Sequence, residues 1–243
     1  MKRNIIVTGA AKGIGRAIAE RLIKEDYRIV AVDMDTEGGA QLTQLYGEDI
    51  SFHLLDISNE DAVTAFFTLF DTQYGSLYGI VNNAGIIRDN LIWNMPSTDF
   101  DSVVQINLKG TWLMCKEAAM RMKKQGEGRI VNIASRAWLG NRGQSNYAAS
   151  KAGVVGLTRV LALELGKYNV LANTIAPGLI DTPMTQKLQP DVLQKLIDAQ
   201  PTRTMGKPDD IAQAVAFLLH PQTQFITGQT LYVDGGKSIG AGV

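Results

Sequence analysis

The sequence predicts a single α/β domain over residues 1–243, in which helices cover both faces of a parallel sheet of about seven strands. Short apolar runs rich in β-branched residues recur along the chain, and amphipathic helical patterns separate them. No linker, repeat or low-complexity tract divides the chain. Its 243 residues, 45% of them hydrophobic, are enough to bury one large core.

The predicted strands are nearly continuous apolar runs, as expected for parallel strands that are covered on both faces. They lie at 4–9, 28–33, 51–55, 79–83, 129–134, 170–175 and 230–233. Helical patterns lie at 13–25, 61–75, 97–124 and 146–166, with a shorter one at 190–199. The least regular region, 178–207, is long for a connection in a compact domain, and we predict that it is a substrate lid.

Composition limits the partners that the protein can have. Lys and Arg number 24 and so do Asp and Glu, so no net charge attracts nucleic acid or a membrane surface. No apolar run reaches the roughly 18 residues of a membrane span. The single cysteine, Cys115, cannot form an internal disulfide, which suits a cytoplasmic protein. His53 and His220 lack ligand spacing, so we predict no metal site.

The stretch TGAAKGIG (8–15) joins the first strand to the first helix and carries Gly9, Gly13 and Gly15, with Ile14 between the last two. Glycine permits a tight turn and lets backbone N–H groups and a helix N-terminus approach a pyrophosphate. Asp33 ends the second strand, where a carboxylate would accept hydrogen bonds from the adenosine ribose. Together these features predict a dinucleotide-binding fold of the Rossmann type.

Asp33 favours NAD(H) as the cofactor, because a carboxylate about 4 Å from the 2′-phosphate of NADP would cost roughly 1–4 kcal/mol. Lys12, in the glycine turn, could attract that phosphate, so NADP(H) stays open; the alternative for Lys12 is a solvated surface lysine. Asp56 follows the third strand and would either hold the adenine amino group or cap the next helix.

Tyr147 and Lys151 are four residues apart, on one face of a predicted helix. An ammonium group beside a phenol favours the phenolate and would lower the pKa of Tyr147 from its usual value near 10. Such a tyrosine could exchange a proton with a carbonyl or alcohol oxygen, which Ser135, after the run 129–134, would also hold. Each residue alone could be packing or a cap, but beside a dinucleotide turn the three indicate a reaction centre.

Over its whole length the chain resembles the short-chain dehydrogenase/reductase family. The matching segments are TGAAKGIG (8–15), Asp33, NNAG (82–85), Asn107, Ser135, YAASK (147–151), APG (176–178) with Thr182, and ITGQTLYVDGG (226–236). The resemblance implies that Tyr147 is the general acid/base, that Lys151 binds the nicotinamide ribose, that Ser135 orients the carbonyl and that Asn107 supports a water chain. It also implies a homotetramer and cofactor contacts from Ile57, Asn83, Ala84, Gly85, Pro177, Gly178, Ile180 and Thr182.

The segment AGIIRDNLIWNM (84–95) is similar to 3-oxoacyl-[acyl-carrier-protein] reductases and acetoacetyl-CoA reductases. This resemblance implies a 3-oxoacyl thioester substrate, although Asp33 departs from the NADPH preference usual there. One alternative is an NAD-dependent dehydrogenase of small or alicyclic secondary alcohols. Another is a non-catalytic dinucleotide-binding regulator, against which the complete set of four catalytic residues argues.

Two basic features bear on the substrate. Lys123, Lys124, Arg129 and Lys167 could form a patch that docks an acyl carrier protein, although each could equally be a solvated helix end. Arg136 lies in the loop 135–147, which faces the substrate in this family. An inward Arg136 would indicate an anionic substrate, whereas an outward one would be ordinary surface, which is the interpretation we favour.

Overall fold

The computed structural model describes residues 2–183 and 185–239. Seven strands form one parallel sheet in the order β3-β2-β1-β4-β5-β6-β7. Their bounds are β1 Arg3–Thr8, β2 Tyr27–Asp33, β3 Ile50–Leu54, β4 Leu77–Asn82, β5 Gly128–Ile133, β6 Val170–Pro177 and β7 Thr230–Val233. The predicted fold class and all seven predicted strands are confirmed, with bounds that differ by at most two residues.

Eight α-helices are found within the described residues, and they cover both faces of the sheet. They are α1 Gly13–Lys24, α2 Thr36–Tyr46, α3 Glu60–Gln73, α4 Ser97–Val104, α5 Thr111–Gln125, α6 Ser145–Leu165, α7 Pro190–Asp198 and α8 Pro208–Leu219. The sequence analysis did not include α2 and α8. The stretch predicted as one helix at 97–124 is α4 and α5, joined by a π-helical segment at Gln105–Gly110.

The strands β1, β2, β4, β5 and β6 contribute side chains to two cores, because successive residues of a strand point to opposite faces. Ile5 packs into a cluster with α1 and α8, and its neighbour Ile6 into a second cluster with α3, α5 and α6. Both isoleucines are fully buried. This burial on both faces explains why the strands read as continuous apolar runs.

The strand order places a crevice where the winding of the sheet reverses. β1 lies between β2 and β4, so the chain crosses to one side after β1 and to the other after β3. In open α/β sheets, ligands bind outside the carboxyl ends of the strands at such a reversal. The glycine turn follows β1 and the NNAG segment includes the end of β4, so both meet at this crevice.

The segment 178–207, predicted as a lid, contains a 3₁₀ turn at Thr185–Lys187 and the helix α7. Met184 lies outside the described residues. None of the residues of α7 is buried, although Leu193 and Ile197 are partly covered. Within the described residues, no helix is both long and apolar enough to span a membrane.

Candidate active site

The glycine turn places an unobstructed backbone at the start of α1. A Cβ on Gly15 would lie 2.0 Å from the Gly9 carbonyl oxygen, so packing requires glycine there. Gly13 has a φ of +58° and nothing within 4 Å of an added Cβ, so its backbone is open. Lys12, the N-cap of α1, gives no side-chain cap, and the first turn holds no acidic residue. The turn therefore fits a pyrophosphate, which the N–H groups and the helix dipole would stabilise.

Thr8, at the end of β1, joins the glycine turn to the NNAG segment. Its buried hydroxyl accepts hydrogen bonds from the backbone N–H groups of Asn83 at 3.0 Å and Ala84 at 3.1 Å. The Asn83 amide in turn donates to the carbonyl oxygens of Thr8 and Gly9, both at 3.1 Å. The sequence analysis quoted Thr8 only as part of the motif and gave it no role.

The carboxylate of Asp33, at the end of β2, is fixed by three backbone N–H groups. Ala11 donates to its Oδ2 at 2.9 Å, and Met34 and Asp35 donate to its Oδ1 at 2.7 and 3.0 Å. Oδ2 can still accept a further hydrogen bond, which fits a ribose hydroxyl.

The Lys12 side chain is 70% exposed, and its ammonium nitrogen lies 3.2 Å from the Asp35 carboxylate oxygen Oδ2. A Gly38 N–H bond and this lysine lower the pKa of Asp35.

Asp56 lies two residues beyond the end of β3, and its carboxylate accepts from the backbone N–H and the hydroxyl of Ser58. The alternative that Asp56 caps the next helix is wrong, because Asn59 is the N-cap of α3 and accepts from the Ala62 N–H. The exposed Asp56 carboxylate is followed by the buried Ile57.

Tyr147 and Lys151 lie on the first turns of α6, with the lysine nitrogen 5.7 Å from the centre of the phenol ring. Lys151 is only 4% exposed and donates to the Ile133 carbonyl oxygen at 2.8 Å. Ser135 follows β5, and its hydroxyl accepts from the Ala137 N–H at 3.1 Å. Gly85 is beside this group, since an added Cβ would lie 3.6 Å from the Lys151 nitrogen.

The expected direction of the Tyr147 pKa is wrong. Burial raises the pKa of Tyr147 to about 12, and a hydrogen bond from Ser135 opposes that rise only in part. Burial also lowers the pKa of Lys151 to about 8. Helical spacing correctly predicted that the two groups are neighbours, but removal from water disfavours the charged form of each.

Asn107 is fully buried in the π-helical segment, and its amide holds the loop that follows β4. It accepts from the Ile86 N–H at 2.8 Å and donates to the Ile86 carbonyl at 2.9 Å and to the Ser150 hydroxyl at 3.3 Å. Ser150 donates to the Tyr147 carbonyl at 2.8 Å. Asn107 thus connects the cofactor side to the helix that carries Tyr147 and Lys151.

A second connection joins the RDN segment (88–90) to the residues that precede Tyr147. The Gln144 amide donates to both carboxylate oxygens of Asp89, at 3.1 and 3.0 Å, and Asn90 donates its backbone N–H to the Gly143 carbonyl. The negative charge of Asp89 contributes to raising the Tyr147 pKa. Sequence analysis used this segment only as a family marker and missed Gln144.

The predicted residues after β6 form a compact turn against β7. Pro177 pairs with Val233, and an added Cβ on Gly178 would lie 2.6 Å from the Asp234 Cα. Ile180 is buried, and the Thr182 N–H donates to the Thr185 hydroxyl at 2.9 Å. This turn leads directly into the segment 178–207.

The predicted basic patch is incomplete. Arg129 is only 2% exposed and lies over the Tyr78 ring, so it cannot contribute to a docking surface. Lys123 and Lys167 are exposed, and each ammonium lies 5.2 Å from the centre of the Tyr168 ring. In the part of the chain that the structure describes, no three His, Cys, Asp or Glu side chains are grouped as metal ligands.

Comparisons with known proteins agree with this geometry. Residues 9–238 match a family model described as enoyl-(acyl carrier protein) reductase. The chain is 40% identical over 243 residues to (2S)-[(R)-hydroxy(phenyl)methyl]succinyl-CoA dehydrogenase subunit BbsD of Thauera aromatica, covering 99% of this chain and 98% of that one. It is 38% identical over 232 residues to 3-oxoacyl-[acyl-carrier-protein] reductase FabG of Vibrio harveyi, covering 95% of each.

Solved structures give the same result. Levodione reductase has a TM-score of 0.93 at 35% identity and 98% coverage of both chains. ElxO with NADP bound has a TM-score of 0.93 at 33% identity, covering 98% of this chain and 99% of that one. The protein is therefore an NAD(P)-dependent oxidoreductase that interconverts a ketone and a secondary alcohol, and it belongs to the short-chain dehydrogenase/reductase family.

Proposed function

We propose that the protein is an NAD(H)-linked oxidoreductase of 3-hydroxyacyl and 3-oxoacyl thioesters, and that it acts on the coenzyme A forms. The observation that carries this proposal is the convergence of Ser135, Tyr147 and Lys151 beside the crevice that the glycine turn opens. The names of the BbsD and FabG relatives both denote chemistry at the third carbon of an acyl thioester. Acetoacetyl-CoA and NADH are the direct test, and wild-type turnover is expected.

In this proposal the chain's own groups handle the oxygen and its proton. When bound, the nicotinamide supplies a hydride to the ketone carbon or accepts one from the alcohol. The Tyr147 phenol donates its proton to the carbonyl oxygen during reduction, and Ser135 holds the same oxygen. A Tyr147 pKa of about 12 keeps the phenol protonated at neutral pH, which suits reduction. Alcohol oxidation should therefore accelerate as the pH rises.

Tyr147→Phe tests the role of the phenol. Turnover should fall by a factor of roughly 100 or more, because the proton donor is lost, whereas NADH binding should be nearly unchanged. Thr64→Val, on the exposed face of α3, serves as the control. Unchanged turnover in Tyr147→Phe would remove the proposed acid/base.

Asp33 supports NAD(H) over NADP(H), because its fixed carboxylate would face the adenosine ribose and Lys12 is already paired with Asp35. Asp33→Ser should improve NADPH use relative to NADH by removing repulsion of roughly 1–4 kcal/mol. Asp35→Ser, which frees Lys12, should act in the same direction but more weakly. An unchanged cofactor ratio in Asp33→Ser would refute the assignment.

The lid, the assembly and the location are parts of the same proposal. α7 would close over the substrate with its partly covered residues Leu193 and Ile197.

Exposed apolar side chains on α5 and α6, among them Trp112 and Leu163, support a homotetramer, which light scattering would test. An acyl carrier protein is a weaker candidate partner than coenzyme A because Arg129 is buried. We propose the cytoplasm as the location, where both NADH and coenzyme A thioesters are available.

A second candidate function is the reduction of an alicyclic ketone, which the likeness to levodione reductase favours. Cyclohexanone-type diketones assayed beside acetoacetyl-CoA separate the two functions. A preference for the thioester, measured as kcat/KM, is the expected result.

A further inference from the structure

Arg136 follows Ser135 directly, in the 3₁₀ turn Arg136–Leu139 at the carboxyl end of β5. The side chain is half-buried, and its Nε is fully buried with no hydrogen-bond acceptor among the described residues. This partial burial differs from the ordinary exposed surface position that the sequence analysis favoured. A buried N–H without an acceptor costs about 1–3 kcal/mol, more for a charged group, so this arrangement calls for an explanation.

Other arginines with a buried, unpaired nitrogen have a different environment. Arg3, Arg28 and Arg129 share that feature, but each guanidinium lies over a tyrosine ring, at 4.3, 5.2 and 5.9 Å from its centre. Arg136 has neither a ring beneath it nor a carboxylate within ion-pair distance in the described part of the chain. Within the described residues its guanidinium therefore has no ionic or aromatic partner, and in the chain it directly follows the residue proposed to hold the reacting oxygen.

The turn that carries Arg136 is fixed in place. The Trp138 ring stacks on Tyr232 at 6.5 Å and packs against the cluster of Ala134, Val154 and Val155. The Ser135 hydroxyl caps the turn through the Ala137 N–H. A guanidinium on such a support loses little further freedom on binding, and its planar fork matches the two oxygens of a carboxylate.

We propose that Arg136 is a specificity-determining residue that binds a carboxylate on the acyl part of the substrate. This inference rests on the proposed function and narrows its substrate to 3-hydroxyacyl thioesters that carry a second, free carboxylate near the hydroxyl carbon. The substrate named for the BbsD relative has this chemistry, because its succinyl unit keeps one free carboxylate when the other is a thioester. Oxidation would move a hydride from the hydroxyl carbon to NAD⁺ and the hydroxyl proton to the Tyr147 phenolate, the form that rising pH favours, and the carboxylate is unchanged.

The test compares two coenzyme A thioesters that differ in the carboxylate alone. One is (2S)-[(R)-hydroxy(phenyl)methyl]succinyl-CoA, and the other has a methyl group in place of the carboxymethyl group. Wild type should prefer the first. Arg136→Gln should raise the KM for the carboxylated thioester about 30-fold, while kcat changes by less than about threefold. Both constants for the methyl analogue should be unchanged. Arg136→Lys should restore part of the loss, and Arg142→Gln, an exposed arginine of the same loop, is the control.

A third substrate identifies the source of the anion. The N-acetylcysteamine thioester of the carboxylated acyl group lacks the phosphates of coenzyme A, and Arg136→Gln should impair its turnover equally. Arg136→Gln could instead lower kcat/KM equally for the carboxylated and the methyl coenzyme A thioesters and leave the N-acetylcysteamine thioester unaffected. That result would assign Arg136 to a phosphate of coenzyme A and overturn the proposal. Unchanged kinetics in Arg136→Gln would overturn it while the proposed function stands. Failure of wild type on all thioesters, acetoacetyl-CoA included, would overturn both.

Discussion

Replacing Lys151 with methionine should stabilise the protein at neutral pH and abolish its activity. Burial lowers the pKa of Lys151 from 10.5 to about 8. At about 1.4 kcal/mol per pKa unit, this shift corresponds to roughly 3 kcal/mol by which the fold disfavours the ammonium group. Methionine has a similar volume, so no large cavity is expected. Losing the donor to the Ile133 carbonyl should cost about 1 kcal/mol, which leaves a net gain of roughly 2 kcal/mol at pH 7.

The pH dependence isolates this effect. Between pH 8 and 10.5 the unfolded chain keeps the Lys151 proton and the folded chain releases it, so wild-type stability rises with pH over this window. Below pH 8 both states are protonated and the full penalty is present. Burial raises the pKa of Cys115 to about 12, which lowers stability above pH 9, but it does so in both proteins and cancels in their difference.

Urea unfolding of wild type and Lys151→Met, at equal protomer concentration and at pH 7, 8, 9 and 10, measures that difference. The advantage of the variant should shrink by roughly 2 kcal/mol between pH 7 and 10. Lys195→Met, on the exposed surface of α7, is the control and should show no such trend. An advantage that is constant across the pH range would refute the argument that Lys151 is a desolvated charge.

Three further results are expected. Asp89→Asn removes a charge that raises the Tyr147 pKa, so the pH profile of alcohol oxidation should shift to lower pH, and an unshifted profile would show that Asp89 acts only as a structural anchor. Gly15→Ala brings a methyl group into the Gly9 carbonyl, so the melting temperature and NADH affinity should both fall, with destabilisation of about 1–3 kcal/mol. Because burial raises the pKa of Cys115 from 9.0 to about 12, a disulfide reagent at pH 8 should modify the native protein at least about a thousandfold more slowly than the urea-unfolded chain, and rapid labelling without denaturant would contradict this burial.

The strands and the glycine turn could be predicted from sequence because their signals are local. A strand buried on both faces carries a largely apolar run, such as 5–7 in β1, although Asn173 and Thr174 interrupt the run in β6. The helix α2 was missed because it contains Gly38 and Gly39, which weaken a helical pattern. Tertiary packing requires glycine at both positions. An added Cβ on Gly38 would lie 2.9 Å from the Ala11 Cβ, and one on Gly39 would lie 2.4 Å from the Phe52 ring. Such close approaches have no signature in the periodicity of one segment.

In the candidate site, too, residues with a local sequence signal could be predicted and those that depend on tertiary contacts could not. Tyr147, Lys151 and Ser135 were found from spacing and strand ends, and the structure brings them together beside Gly85. The π-helical segment that sets the position of Asn107 could not be predicted, because one extra residue in a helical turn leaves no mark on an apolar pattern. The link between Asp89 and Gln144 joins residues far apart in the chain, so spacing could not reveal it.

The sign of the Tyr147 pKa shift follows from depth rather than spacing, and it bears on why the lysine is there at all. The fold disfavours this charge by roughly 3 kcal/mol, which exceeds the roughly 1 kcal/mol contributed by its hydrogen bond to the Ile133 carbonyl. A protein that used this domain only to hold its shape would gain stability by losing Lys151. A buried ammonium one helical turn from a partly buried phenol is therefore what we expect of a reaction centre, where Lys151 would serve proton exchange at Tyr147 and the binding of the nicotinamide ribose, neither of which methionine could do.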